Sequence, residues 1–202
     1  MRRISILLLV ILGVFLCLSP MAGATEYPAP TQAFYVNDYA NVISGDVRSH
    51  IESATAELEA RTGAQIVVVT LSSLEDASLE DFSLGLFREW GIGSAQDNNG
   101  VLILVDVGGR QSRIEVGYGL EGALPDGRTG RIQDQYMVPD FAVGDYSLGI
   151  KKGFDAIITQ VYGEYGYEFE GSEYYPDSGA EDEPGPVPIL GIIIVIILIV
   201  LD

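Results

Sequence analysis

Apolar and polar positions follow a few clear registers along this chain. Val47, Ile51, Ala54 and Leu58 recur at three- and four-residue spacing. They predict a helix that starts behind Ser44, carries Asp46 in its first turn and stops at Gly63. Ile66-Val67-Val68-Val69 then runs without a polar break, as in a strand covered on both faces. Leu79, Phe82, Leu86 and Trp90 predict a second helix, closed by Gly91 and Gly93. Residues 101–107 predict another buried strand. Gly108-Gly109-Arg110 turns the chain into Arg113-Ile114-Glu115-Val116, whose alternation predicts a strand with one wetter face. Residues 127–141 and 146–162 read as two further helices, joined at Gly144-Asp145.

The order helix, strand, helix, strand, strand, helix, helix implies an α/β protein with helices on both faces of the sheet. A crossover carrying a helix makes the first two strands parallel, and the Gly-Gly turn makes the next pair antiparallel. The expected fold is a three-layer α/β/α sandwich around a small mixed sheet.

The two ends carry a different pattern. Residues 1–24 read as a secretory signal: Arg2 and Arg3 precede an apolar run over residues 6–18, and Ala22-Gly23-Ala24 is a small-x-small cleavage pattern. An uncleaved signal anchor is the alternative; cleavage before Thr25 is the preferred reading. Val14, Phe15 and Leu16 are too bulky for a lipoprotein box before Cys17. Residues 187–201 form an apolar run broken only by Pro188 and Gly191, and residues 189–201 are read as a short C-terminal membrane anchor. About 20 residues are needed to span a bilayer, so this run is short, and its β-branched richness also fits a buried strand. The shortness and the stop at Asp202 suggest a natural C-terminal extension. Residues 164–188 hold eight acids, four prolines and no Lys or Arg, which describes an extended acidic tether. One domain remains, over residues 25–163. The localisation expected from these ends is an exported chain anchored on the extracytoplasmic face.

Charge narrows the partners. Eleven Lys and Arg against 29 Asp and Glu give a formal net charge of −18, which argues against nucleic acid. With Cys17 as the only cysteine and His50 as the only histidine, disulfides, Cys-rich zinc sites and histidine triads cannot be assembled from one mature chain. His50 reads as an exposed residue of the first helix. Gly117, Gly119 and Gly122 match the spacing of a dinucleotide fingerprint, but Ala123-Leu124-Pro125-Asp126 follows instead of a long helix. These glycines are read as allowing close backbone approach, with no nucleotide cofactor.

Acids in the glycine-rich loops are the remaining candidates. Asp38 precedes the first helix, Asp97-Asn98-Asn99-Gly100 precedes a strand, and Glu121 and Asp126 follow the last strand. Loops at one end of the sheet can meet, and hard oxygen donors there suit calcium or magnesium. The plainer assignment makes Asp97-Asn98-Asn99-Gly100 a turn, Asp126 a helix cap and Glu121 a solvated acid. Spacing alone favours the plainer one.

Several segments together resemble the TPM domain family. They are residues 35–44 (Tyr-Val-Asn-Asp-Tyr-Ala-Asn-Val-Ile-Ser), residues 62–70 (Thr-Gly-Ala-Gln-Ile-Val-Val-Val-Thr), Trp90-Gly91-Ile92-Gly93 and Asn99-Gly100-Val101-Leu102. Residues 113–122 (Arg-Ile-Glu-Val-Gly-Tyr-Gly-Leu-Glu-Gly), Leu124-Pro125-Asp126, and Pro139 through Phe141 to Gly144-Asp145-Tyr146 continue the match. The resemblance covers nearly all of residues 34–163 and implies an α/β/α sandwich. The family includes a thylakoid-lumen protein of photosystem II repair, a receptor-associated membrane protein and secreted prokaryotic proteins with C-terminal anchors. Some members are described as acid phosphatases, some bind calcium or related ions, and others work through protein contacts. By resemblance, Asp38, Asp97, Glu121, Asp126 and Asp145 occupy positions where acids recur, which makes them the metal-site candidates. The Gly-rich tail that anchored prokaryotic relatives carry after the membrane segment has no counterpart here.

Two functions follow as expectations. One is an extracytoplasmic, membrane-tethered module that binds a divalent metal and acts in protein interaction or in membrane-protein assembly and repair. The other is a metal-dependent phosphatase, in which a metal on Asp126 and Asp38 neutralises phosphate, a bound water or Asp97 attacks, and Arg113 or Arg128 clamps the phosphoryl oxygens. An acidic domain repels anionic substrates, which counts against the second.

Overall fold

The computed structural model describes residues 26–75 and 77–171. The signal (residues 1–24), the anchor (residues 189–201) and most of the tether (residues 164–188) lie outside the described residues. The elements run β1 (Val36–Asp38), α1 (Gly45–Thr62), β2 (Gln65–Leu71), α2 (Leu79–Trp90), β3 (Gly100–Asp106), β4 (Gln111–Val116), α3 (Asp126–Ile132), α4 (Val138–Ala142) and α5 (Tyr146–Glu164). A 3-10 turn covers Tyr118–Leu120, and a π-helical turn covers Gln133–Met137.

The sheet order is β1-β2-β3-β4. β1, β2 and β3 are parallel, with Gln65 opposite Gly100 and Val68 opposite Val36, while β4 pairs antiparallel with β3. This is the expected α/β arrangement with one strand added. β1 was expected to be loop: three residues with one aliphatic side chain give no period. It pairs because Val36 packs into the core and the buried Asn37 side chain fastens its own approach, accepting from the Thr31 amide (2.7 Å) and donating to the Phe34 carbonyl (2.6 Å).

The uninterrupted apolar runs are buried on both faces, as their composition requires. Ile66, Val68, Val101, Ile103 and Val105 face α1, α3 and α5, whereas Val67, Val69, Leu102 and Leu104 face Phe82 and Leu86 of α2. Glycines in the left-handed region end both crossover helices, Gly63 at φ 74° and Gly91 at φ 60°. Ser78 caps α2 by accepting from the Asp81 amide at 3.2 Å. Ser44 holds the N-cap backbone of α1, its carbonyl accepting from the Arg48 amide at 2.9 Å, but its side chain caps no amide of the helix. The Ser147 hydroxyl, at the start of α5, accepts from the Ser44 amide and donates to the Ser44 hydroxyl, each at 3.0 Å.

The helix expected over residues 127–141 is divided. Pro139 has no amide to continue the ladder, and the preceding turn widens so that the Val138 amide donates to Gln133. Before β1, the strap at residues 26–29 lies across α2. The Trp90 indole donates to the Pro28 carbonyl (3.0 Å), and Tyr27 sits edge-on to Phe82 where Gly85 leaves room.

Glu59 of α1 joins three elements: the Tyr35 hydroxyl donates to one carboxylate oxygen, and the Gln65 amide donates to the other at 2.9 Å. Burial and the Glu59 charge push the Tyr35 hydroxyl up from 10.0 to about 12. A phenol held protonated in the folded state stabilises fully below its unfolded pKa and loses that contribution as pH rises through the folded one. Burial raises Tyr39 and Tyr162 in the same direction. Unfolding stability should therefore fall between pH 10 and about 12, and Tyr35→Phe should flatten that slope, as read by denaturant titration at each pH.

Candidate functional site

Parallel strands put their C-terminal ends on one rim, and this decides where the candidate acids lie. Asp38 ends β1 beside Thr70, at the C-terminal rim. Asp145 shares that rim, since the next residue, Tyr146, donates its hydroxyl to the Val107 carbonyl beyond the end of β3 (3.3 Å). Asp97 lies in the loop entering β3, at the opposite rim, where the Gly119 amide donates to the Asn98 carbonyl at 3.0 Å. Glu121 follows on that same N-terminal rim, and Asp126 opens α3, where its charge raises the pKa of Arg113 alongside the larger effect of Glu115. The loops entering β3 and leaving β4 thus meet as expected, but Asp38 and Asp145 stand at the other end. Among the described residues, no group of three or more His, Cys, Asp or Glu could hold a metal ion. The five acids do not fit a single-ion site.

Their bonding explains what each does locally. The Asp38 side chain is 2% exposed and accepts four donors: the Val42 and Ile43 amides, each at 3.0 Å, the Thr70 hydroxyl at 2.6 Å, and Arg48 at 3.3 Å. Both oxygens are saturated, so this carboxylate locks the turn between β1 and α1 onto β2. Asp145 is the N-cap of α5, accepting from the Leu148 amide at 3.0 Å. Asp97, Glu121 and Asp126 are exposed.

The glycines of the dinucleotide-like spacing pack backbone on backbone. A Cβ on Gly117 would stand 2.1 Å from the Asn98 carbonyl oxygen, and one on Gly119 would stand 2.0 Å from that of Asp97, whereas Gly122 has nothing within 4 Å. Close approach is the use that the sequence suggested for them. Asn99, 1% exposed, completes this rim by accepting from the Ser94 amide and donating to the Tyr165 hydroxyl, both at 2.9 Å.

The proposed phosphate clamps are engaged elsewhere. Arg113 donates to Glu115, which also accepts from the Ser83 hydroxyl at 2.7 Å. The Arg128 guanidinium donates to the Ala123 carbonyl.

His50 is not the exposed residue that was expected. It is half-buried, with Nε2 at 2.6 Å from Asp155, and its ring meets Phe154 and Phe169. Asp155 is fully buried on α5 and also accepts from Lys151 at 2.5 Å. Sequence reasoning missed this trio, although an acid beside the apolar stripe Ile150, Phe154, Ile157 and Val161 was a legible signal of a buried charge. Asp155→Ala should destabilise the domain by about 2–3 kcal/mol in urea unfolding, because the His50 ring and the Lys151 ammonium lose their common hydrogen-bond partner on the α1–α5 interface. A groove of about 390 Å³ lies beside His50, lined also by Ser53, Glu57, Arg61, Tyr162 and Phe169 among others.

A second groove, of about 540 Å³, runs beside the start of β4. Leu79 of α2 stands on one side; Gln133, Asp134, Val138 and Phe141 stand on the other, and Arg110 and Ser112 line it as well.

A family model described as the TPM domain matches residues 36–160. The solution structure of an N-terminal domain from P. gingivalis is 35% identical, with a TM-score of 0.62 over 69% of this chain and 89% of that one. The N-terminal domain of cg2496 protein from Corynebacterium glutamicum is similar at 18% identity and a TM-score of 0.50, covering 70% of this chain and 86% of that one. BA42 from the psychrophilic Bizionia argentinensis is similar at 18% identity and a TM-score of 0.52, covering 66% of this chain and 90% of that one. At these lower identities the likeness is one of fold. No curated protein matches the chain. With the family model spanning more than half of its residues, the chain belongs to the TPM domain family.

Proposed function

We propose that this TPM domain is an exported, membrane-tethered module that binds another polypeptide at the extracytoplasmic face, in the assembly or repair of membrane proteins, and is not a hydrolase. The observation that carries the reading is the saturation of Asp38, the acid on which the phosphatase alternative depends, by four internal donors. A carboxylate so engaged would have to surrender buried hydrogen bonds to take a metal, and each would cost about 1–3 kcal/mol. Arg113, tied to Glu115, is likewise occupied. Export and tethering rest on the signal-like run, the acidic tether and the apolar run in the sequence.

The reading is tested on the full chain. Fractionation should place it with membranes, and deletion of residues 187–202 should release it. The purified protein should turn over no generic phosphomonoester above buffer. A soluble full-length protein would remove the tether, and turnover lost in Asp126→Asn or Asp97→Asn would restore the hydrolase.

A further inference from the structure

Among the described residues, β4 is the edge of the sheet, with no strand on its outer side. The Gly117 amide donates to the Gly100 carbonyl at 2.8 Å, which makes these two a hydrogen-bonded pair. Alternation along an antiparallel ladder then turns the backbone groups of Gln111, Arg113 and Glu115 towards β3, and those of Ser112, Ile114 and Val116 away from it. Among the described residues, those outward N–H and C=O groups have no partner.

The groove of about 540 Å³ opens onto the N-terminal half of this edge. Leu79, Val138 and Phe141 give it an apolar lining, and Val138 is 47% exposed. At its end stands Arg110, an exposed residue in the left-handed region at φ 53°, a conformation that glycine adopts more readily. No hydrogen bond or ion pair engages its guanidinium among the described residues. Asp134 on the opposite wall is also without an ion-pair partner among them.

We propose that this groove binds the free C-terminal end of another polypeptide, added to the sheet as a strand antiparallel to β4. The proposal rests on the binding-module reading and names the class of partner. The outward groups of Ser112 and Ile114 supply main-chain hydrogen bonds to an extended ligand. Antiparallel addition carries that ligand from Val116 towards Gln111, so its terminal carboxylate arrives at Arg110, whose planar fork matches a carboxylate. The last side chain falls among Leu79, Val138 and Phe141 and is therefore apolar. Asp134 favours a Lys or Arg just before it and repels a second carboxylate. The formal charge of −18 works in the same direction, since it disfavours acidic tails and opposes pairing of β4 with a second copy of this chain.

The test uses the full-length protein in detergent and fluorescein-labelled octapeptides that end in Lys-Val, Lys-Ile, Lys-Leu or Lys-Phe. Anisotropy should show binding of at least one free-acid peptide. C-terminal amidation and Arg110→Gln should each weaken it by about tenfold or more. N-methylation of the peptide at alternate residues should abolish binding on one parity only. Arg110→Gln should melt with the parent protein, because the Arg110 guanidinium makes no hydrogen bond or ion pair among the described residues. Equal binding of amidated peptides, or no binding at millimolar concentration, overturns the proposal. So does concentration-dependent self-association that occupies β4 without peptide. None of these outcomes alters the fractionation and turnover results that decide the broader reading.

Discussion

Replacing Asp38 with alanine is expected to destabilise the domain by about 3–4 kcal/mol, which for a domain of this size lowers Tm by about 10 °C. The substitution strands the Val42 and Ile43 amides and the buried Thr70 hydroxyl, and releases Arg48. Asp38→Asn should retain part of the loss, because an amide accepts at one position only and sets its own donor against donors at the other. The remaining acids provide a scale. Asp145→Ala removes an N-cap and should cost about 1 kcal/mol. Asp97→Ala and Glu121→Ala, at exposed positions, should stay within about 0.5 kcal/mol. A graded series of this kind marks carboxylates with separate structural duties. Ligands of one ion would instead lose ion affinity together.

The second large effect concerns the glycine loop. Gly119→Ala is expected to cost about 3 kcal/mol, and Gly117→Ala a similar amount, because each new methyl would meet a backbone carbonyl oxygen near 2 Å that cannot rotate aside. Gly122→Ala meets nothing within 4 Å and should be neutral or slightly stabilising, since alanine lowers the entropy of the unfolded chain. A phosphate-binding fingerprint would need all three glycines. Equilibrium unfolding of the three variants separates these cases, and a large loss at Gly122 would contradict the packing account.

The two effects mark the boundary of what the sequence made legible. β2 and β3 were readable because strands covered on both faces must be apolar throughout, and the hairpin to β4 because Gly108 and Gly109 admit a tight turn. The helices carried their own punctuation in Ser44, Gly63 and Gly91. β1 was not readable: three residues at an edge owe their conformation to a partner strand some thirty positions later. Missing it hid the rim on which Asp38 lies, and with it the Thr70 hydroxyl that claims the carboxylate. The His50–Asp155 pair was hidden for a related reason, since its members are 105 residues apart and neither helix predicts the other's facing residue. Periodicity reports which side of an element is buried, and long-range polar pairs need the topology first.

The most direct test of the structural role assigned to Asp38 is a calcium titration followed at the Val42 and Ile43 amides, which donate to its two oxygens. The structure predicts that both resonances stay in place through the millimolar range used by extracellular calcium modules. Saturable movement of both, together with the Asp97 and Asp126 amides, would mean that calcium gathers these carboxylates into one site and would contradict the account.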